Sequence, residues 1–253
     1  MAELRANELS VVHDNSEIVA ATSFCVASGE LVALLGANGV GKSTLIRTCM
    51  GLQAAASGTA FIDGENVHEL NAQTRAKTMA YLPQVRPLAW PNRVRDVVAL
   101  GRFSYGAAPG KLTGTDALAV EKAMAACGLS TLAHRTTDTL SGGELARVHC
   151  ARAFASETPL IIADEPTAAL DPRHQLMIME LFQSYVASGG GALVVLHDVA
   201  LAARHATKLL WMKDGRIVGE GTPKDTLHSA MLADVYGVNA YVNGLDVQLL
   251  NPL

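Results

Sequence analysis

The chain has 253 residues, enough for one large domain or two small ones with a well-buried core. Hydrophobic residues make up 49% and charged residues 17%, which excludes an intrinsically disordered chain. The net charge of −4 argues against a nucleic-acid-binding protein, which is usually basic. Four scattered cysteines without a C-x-x-C pair favour reduced thiols in a cytosolic chain, and neither a signal peptide nor a span of about 18 apolar residues is predicted.

The predicted elements begin with strands and continue as alternating helices and strands. The apolar runs LIIAD and ALVVLH are each flanked by helices, which predicts buried parallel strands in a sheet covered on both faces. Asp-Gly pairs at 63–64 and 214–215 predict tight turns. Strands are predicted at 8–12, 24–28, 30–35, 59–64, 160–164 and 192–197, a hairpin at 209–218, and helices at 43–50, 71–78, 94–101, 116–127, 143–156, 173–187 and 198–205.

Two stretches depart from this alternation. The segment 86–157 is rich in proline and glycine at its start and then shows helical patterns, which predicts a helical subdomain inserted into an α/β core. The segment 222–253 predicts a C-terminal tail of short helices and a strand, with a helix cap at Thr222 paired with Asp225.

A phosphate-binding loop follows the predicted strand 30–35. The segment GANGVGKST matches G-x-x-x-x-G-K-[ST] between a strand and a helix. Its glycines let backbone N–H groups surround an anion, while Lys42 would reach the β- and γ-phosphates and the Ser43 hydroxyl would bind Mg²⁺. Kinases, GTPases and motor ATPases all use this loop, so it predicts a nucleoside triphosphate site without naming the activity. The predicted binding residues are Gly36, Asn38, Gly39, Gly41, Lys42, Ser43 and Thr44.

An acidic pair ends the apolar strand 160–164. Carboxylates at the carboxyl end of a parallel strand point into the ligand crevice. We expect Asp164 to hold Mg²⁺ and Glu165 to act as the general base for an attacking water, which favours hydrolysis over transfer to a bound acceptor. The alternative is an exposed pair of acidic residues in a turn.

Three further polar residues lie at the ends of predicted elements. His197 ends the strand 192–197 and is predicted to contact the γ-phosphate, although most lone histidines are structural. Gln84 ends the segment MAYLPQ directly before the helical insertion, where it can contact Mg²⁺ or the attacking water and respond to movement of the insertion. Asp171 precedes a helix with proline at its first position, and its simplest role is a helix cap.

The segment LSGGE at 140–144 combines a helix cap with two unexplained glycines. Ser141 and Glu144 have the spacing of a capping box. Gly142 and Gly143 are not needed for a cap, and each costs roughly 0.5–1 kcal/mol relative to alanine within a helix. Their absence of side chains leaves backbone N–H groups open to a phosphate.

Together these motifs resemble the ATP-binding cassette (ABC) ATPases over nearly the whole chain. The resemblance implies one α/β domain spanning 1–253, a P-loop NTPase (RecA-like) core with an N-terminal antiparallel β subdomain and an inserted α-helical subdomain. It also implies ATP and Mg²⁺ as ligands and head-to-tail dimerisation on ATP. Ser141, Gly142 and Gly143 would then contact the γ-phosphate held by the partner copy, Asp171 would lie at the dimer interface, and Gln84 and His197 would be active-site residues. The motifs lie at 36–44, Gln84, 140–144, 160–166, 169–171 and His197.

A finer resemblance is to the ATPases of bacterial importers for iron–siderophore complexes, haem and vitamin B12. It rests on the segments at 99–106, 197–223 and 232–238. It implies a separate transmembrane permease, an indirect periplasmic or extracellular substrate-binding protein, no nucleic-acid partner, and a peripheral position on the cytoplasmic face of the inner membrane. The alternatives are an exporter ATPase, a cassette without a transporter, and a P-loop kinase.

Two positions depart from the family pattern. The family usually has an aromatic residue about two dozen residues before the phosphate loop to stack on adenine, and His13 stands there in this chain. An imidazole offers less stacking surface than a phenol ring, so we expect modest selectivity for adenine. Leu145 replaces a residue that is commonly polar after LSGG, and its role has no functional interpretation.

Overall fold

The computed structural model describes residues 2–84, 88, 90–108, 110–168 and 170–253. An antiparallel sheet formed near the N-terminus has the strand order β2 (Ser16–Ala27), β1 (Glu3–His13), β4 (Ser57–Ile62) and β5 (Glu65–Asn66). Asp14 and Asn15 have φ values of 47° and 61°, and this left-handed two-residue turn joins β1 to β2. The hairpin is longer than the strands predicted at 8–12 and 24–28, because the turn at Asp14 and Asn15 was not predicted.

The central sheet carries the predicted motifs at its strand ends. In the described residues its order is β10 (Arg216–Gly221), β9 (Lys208–Lys213), β3 (Leu31–Leu35), β8 (Gly191–Val195), β7 (Leu160–Asp164) and β6 (Met79–Leu82). All neighbouring pairs are parallel except β9–β10, which turns at Asp214-Gly215 as predicted. Strands β3, β7 and β8 are buried at every position, which confirms the interpretation of the apolar runs. Their carboxyl ends lie at one edge of the sheet.

Helices lie close to the predicted positions. They are α1 (Lys42–Cys49), α2 (Ala72–Thr78), α3 (Val94–Ala99), α4 (Gly114–Ala126), α5 (Gly142–Ala155), α6 (Pro172–Ala187) and α7 (Val199–His205). The helix predicted at 94–101 ends earlier, because residues 100–105 form a 3₁₀ helix instead. Arg102 in this segment is buried, and its Nη1 donates to the carbonyls of Ala155 and Ser156 at 3.2 and 3.1 Å, which holds the segment against the end of α5.

Helices α3, α4 and α5 pack against one another and lie between β6 and β7 in the chain, although these two strands are neighbours in the sheet. The predicted start of the insertion, residue 86, lies outside the described residues. The apolar side chains of these helices share one buried cluster with residues from the central sheet.

The C-terminal segment contains α8 (Pro223–Thr226), α9 (Ser229–Tyr236) and the hairpin β11 (Val238–Asn243) and β12 (Asp246–Pro252). Thr222 precedes α8, but its side chain accepts no capping hydrogen bond from the backbone. Its hydroxyl donates to Asp225 Oδ2 at 2.6 Å instead, so the predicted pair exists with different chemistry. Within the described part of the chain, every helix is too short or too polar to cross a bilayer.

Candidate functional site

The phosphate-binding loop joins β3 to α1 and passes close to two neighbouring strands. A Cβ atom on Gly36 would lie 2.3 Å from the carbonyl oxygen of Met212. Gly41 has a left-handed φ of 100°, and a Cβ there would lie 2.6 Å from the carbonyl oxygen of Ile18. Only glycine fits at these positions, so the packing of the loop against β2 and β9 explains two of its glycines.

Lys42 is the first residue of α1 and is almost fully buried. Its Nζ donates to the carbonyl oxygens of Gly36 and Ala37 at 2.6 and 2.8 Å. Burial lowers the pKa of Lys42, while the charges of Glu165 and Asp164 oppose this effect. The ammonium group therefore lies inside the curve of the loop, facing the acidic pair.

Asp164 is the last residue of β7 and is fully buried. Among the described residues, no hydrogen bond of ordinary geometry reaches either carboxylate oxygen. Burial raises the pKa of Asp164, and the neighbouring Ser43 hydroxyl opposes that rise. A buried carboxylate that accepts no hydrogen bond of ordinary geometry is costly, and this carboxylate and the neighbouring Ser43 hydroxyl are oxygen ligands of the kind that Mg²⁺ prefers. The residues present therefore fit a magnesium ion.

Glu165 lies between the two other polar residues predicted at the strand ends. Its Oε2 accepts a hydrogen bond from Gln84 Nε2 at 2.6 Å, and its Oε1 lies 2.5 Å from His197 Nε2. The backbone of Glu165 has a φ of 50°, an uncommon conformation for a residue other than glycine, and its N–H donates to the Val195 carbonyl at 3.2 Å. The turn after β7 thus brings together three residues that are far apart in the sequence.

These residues surround a cavity of about 410 Å³. Ile18 on β2 also lines it and was not predicted, because a lone isoleucine in a strand carries no chemical signal. His13 does not line the cavity; its side chain is 75% exposed and its Nε2 lies 3.4 Å from Asp14 Oδ2. The lining residues are Ile18, Asn38, Gly39, Gly41, Lys42, Ser43, Thr44, Gln84, Glu165 and His197.

The LSGGE segment lies outside this cavity and begins α5. The capping box is present: Glu144 N–H donates to Ser141 Oγ at 3.2 Å, and Ser141 N–H donates to Glu144 Oε2 at 2.8 Å. Among the described residues, a Cβ on Gly142 would meet no atom within 4 Å, and one on Gly143 would meet only Leu170 Cδ2 at 3.6 Å. The packing of the described residues therefore does not require either glycine.

Asp171 also lies outside the cavity, as the N-cap of α6. It accepts a hydrogen bond from His174 N–H at 3.0 Å, and its second oxygen lies 2.7 Å from His174 Nδ1. Both hydrogen bonds lower the pKa of Asp171, and the one from the His174 backbone has the larger effect. Asp171 therefore caps α6, and its carboxylate is exposed.

Comparisons with known proteins identify the class to which this fold and site belong. A family model described as ABC transporter matches residues 19–168. The hemin import ATP-binding protein HmuV of Rhodococcus jostii (strain RHA1) is 38% identical over 234 residues, covering 92% of this chain and 80% of that protein. The cobalamin import ATP-binding protein BtuD of Halobacterium salinarum (strain ATCC 29341 / DSM 671 / R1) is 38% identical over 203 residues, covering 80% of this chain and 50% of that protein.

A solved dimeric structure of a bacterial ABC transporter cassette is similar with a TM-score of 0.75 and 25% identity, covering 87% of this chain and 98% of that one. The chain belongs to the ABC transporter family. It is an ATP-binding and ATP-hydrolysing subunit of that family, which confirms the predicted fold class and enzyme class.

Proposed function

We propose that two copies of the chain pack head to tail around two ATP molecules and drive a separate transmembrane permease. The observation that carries this proposal is the open space over Gly142 and Gly143. Ser141 and Gly142 are exposed and outside the cavity of their own chain, so the bare N-terminus of α5 is available to a phosphate bound by another copy. The exposed Asp171 carboxylate is proposed to lie at the same dimer interface.

The residues of the phosphate loop and of the strand ends are proposed to bind the phosphates and Mg²⁺. Lys42 binds the β- and γ-phosphates, and Ser43, Asp164 and Gln84 hold Mg²⁺. A magnesium ion held by these residues would supply positive charge to neutralise the phosphates. The buried Asp164 carboxylate supports this assignment, because neither of its oxygens accepts a hydrogen bond of ordinary geometry from the described residues.

Glu165 is proposed as the general base. It accepts a proton from the water that attacks the γ-phosphorus, and the bond to the β–γ bridging oxygen breaks to release ADP and phosphate. Its contacts with Gln84 and His197 support this role, since both hold the carboxylate beside the phosphate loop. His197 is proposed to contact the γ-phosphate once ATP is bound.

The Glu165→Gln variant tests the composite site. The amide keeps the shape of the side chain but cannot take the proton, so we expect a stable dimer with ATP and little turnover. Light scattering and ATPase assays measure both properties. Hydrolysis at the wild-type rate would remove Glu165 from the base role, and an ATP-bound monomer would contradict the head-to-tail site.

An apolar groove is proposed as the permease contact. It has a volume of about 650 Å³ and lies between α2 and the 3₁₀ segment at 100–105. Phe103 at its edge is 72% exposed and Leu100 is 42% exposed. Met79, Ala80 and Tyr81 also line the groove and belong to β6, the strand that leads to Gln84. A permease segment in this groove would therefore contact the strand that positions an active-site residue.

The proposed cargo is an iron–siderophore complex, haem or cobalamin. The names of the similar proteins support import, and a position on the cytoplasmic face of the membrane follows from the permease partner. The cassette purified with its native permease tests this. Stimulation of ATPase activity by one of these metal complexes is expected, whereas stimulation by an outward-moving lipid or drug would indicate an exporter.

A further inference from the structure

The C-terminal helix α9 contacts the first residue of the phosphate loop. Gly36 N–H donates a hydrogen bond to the Tyr236 hydroxyl at 3.0 Å, across 200 residues of sequence. Tyr236 is the last residue of α9, and Gly237 ends the helix with a left-handed φ of 65°. The hydroxyl thus satisfies the first backbone N–H after β3, a group that is costly to bury without a partner.

Gly36 is constrained from three directions. Its N–H is held by Tyr236, and its Cα lies so close to the carbonyl oxygen of Met212 that a Cβ would be 2.3 Å from that atom. Its own carbonyl accepts a hydrogen bond from Lys42 Nζ at 2.6 Å. A shift of Gly36 would therefore displace one of the two carbonyls that hold the Lys42 ammonium.

Contacts with β9 and with the core hold helix α9 in place. Asp234 Oδ1 pairs with Lys213 Nζ on β9 at 2.6 Å, and Leu232 and Val235 are buried against the core. Burial raises the pKa of Tyr236 to about 12, although the hydrogen bond from Gly36 opposes this rise. The hydroxyl is therefore neutral throughout the physiological pH range.

We propose that Tyr236 is a positioning residue for ATP binding. Its hydroxyl holds Gly36 so that the Gly36 carbonyl and the Lys42 ammonium keep the geometry that receives the phosphates. The C-terminal segment thereby becomes part of the nucleotide site through one hydrogen bond. This inference rests on the proposed role of Lys42.

The conservative variant Tyr236→Phe tests the inference in the full chain. It removes the hydroxyl and keeps the aromatic ring at the end of α9. A neutral hydrogen bond of ordinary strength corresponds to a factor of about 2 to 10 in an equilibrium constant. We expect the Kd for ATP and ADP and the KM for ATP to rise by about that factor, while kcat changes less than about twofold.

Tyr185→Phe is the matched control. The Tyr185 hydroxyl donates to the Thr158 carbonyl at 2.5 Å, in a region that does not line the nucleotide cavity. Both variants lose one hydroxyl bond and are expected to lower Tm, but only Tyr236→Phe should weaken nucleotide binding. A purely structural role would lower the amount of active protein in both and leave the Kd unchanged.

The outcomes separate this inference from the role of Lys42. If Lys42→Ala loses nucleotide binding while Tyr236→Phe binds ATP as tightly as the wild type, the positioning role of Tyr236 is wrong. If Tyr185→Phe weakens ATP binding as much as Tyr236→Phe, the effect is general and the inference is equally overturned. If Lys42→Ala binds ATP normally, the proposed role of Lys42 is wrong, and the inference that rests on it is wrong as well.

Discussion

Replacing Gly142 or Gly143 with alanine is expected to stabilise the folded chain slightly and to lower its ATPase activity. In the described part of the chain, the added methyl would meet no atom within 4 Å at Gly142 and only Leu170 Cδ2 at 3.6 Å at Gly143. Alanine is favoured over glycine in a helix by about 0.5–1 kcal/mol, so neither substitution should lower the free energy of unfolding. For a chain of this size the corresponding rise in Tm is at most about 4 °C.

The same methyl is expected to block the partner's phosphate. The Cα–Cβ bond in a helix is tilted toward the N-terminus, so a side chain at the start of α5 projects toward an arriving γ-phosphate. The N–H groups must come within about 3 Å of the phosphate oxygens to donate hydrogen bonds. We expect turnover to fall at least about tenfold, which corresponds to about 1.4 kcal/mol of transition-state stabilisation.

Three measurements test this reasoning. Calorimetry gives Tm, titration gives the Kd for ATP of the isolated chain, and ATPase activity is measured at several protein concentrations. The Kd should stay within about twofold of the wild type, because neither glycine lines the cavity of its own chain. Lys42→Ala is the contrasting control, since it should lose ATP binding itself. Wild-type turnover in Gly142→Ala, or weakened ATP binding by the monomer, would refute the composite site.

Three other predictions follow from single residues. His13 does not line the cavity, and its exposed imidazole offers less stacking surface than a phenol, so GTP should compete measurably with ATP in a binding assay; a lack of competition even at large excess would show that weak stacking at His13 is the wrong explanation. The pKa of Asp171 is lowered in the folded chain, so its stabilising contribution is present above the unfolded value of about 3.9 and is lost as the pH falls through the folded value. Asp171→Asn keeps a capping oxygen, so the difference in Tm from the wild type should change only below about pH 4, and a difference independent of pH would contradict this. Phe103→Asp should abolish stimulation of ATPase activity by the permease while basal activity persists, whereas Leu118→Asp, at an exposed apolar residue on α4, should leave stimulation intact; equal losses in both would place the contact elsewhere.

Much of the fold could be predicted because its signals are local. The apolar runs of β7 and β8 and the Asp-Gly turns depend on a few adjacent residues, and the structure confirms them. The 3₁₀ segment at 100–105 was missed because its position depends on Arg102 bonding to the end of α5, more than fifty residues away. Thr222 was correctly placed before a helix, but the atom that its hydroxyl contacts was not predictable from spacing.

The sequence by itself indicated the residues that we propose carry the chemistry: the phosphate loop, Gln84, the acidic pair, and His197. These residues follow strands, and parallel strands of one sheet end at a common edge, so their convergence follows from local pattern and general topology. Only the tertiary structure decided that Ile18 lines the cavity, that space lies open over Gly142, and that Tyr236 holds Gly36. Such contacts join elements far apart in the chain, and their distances depend on how helices and sheets pack rather than on the periodicity of any one segment.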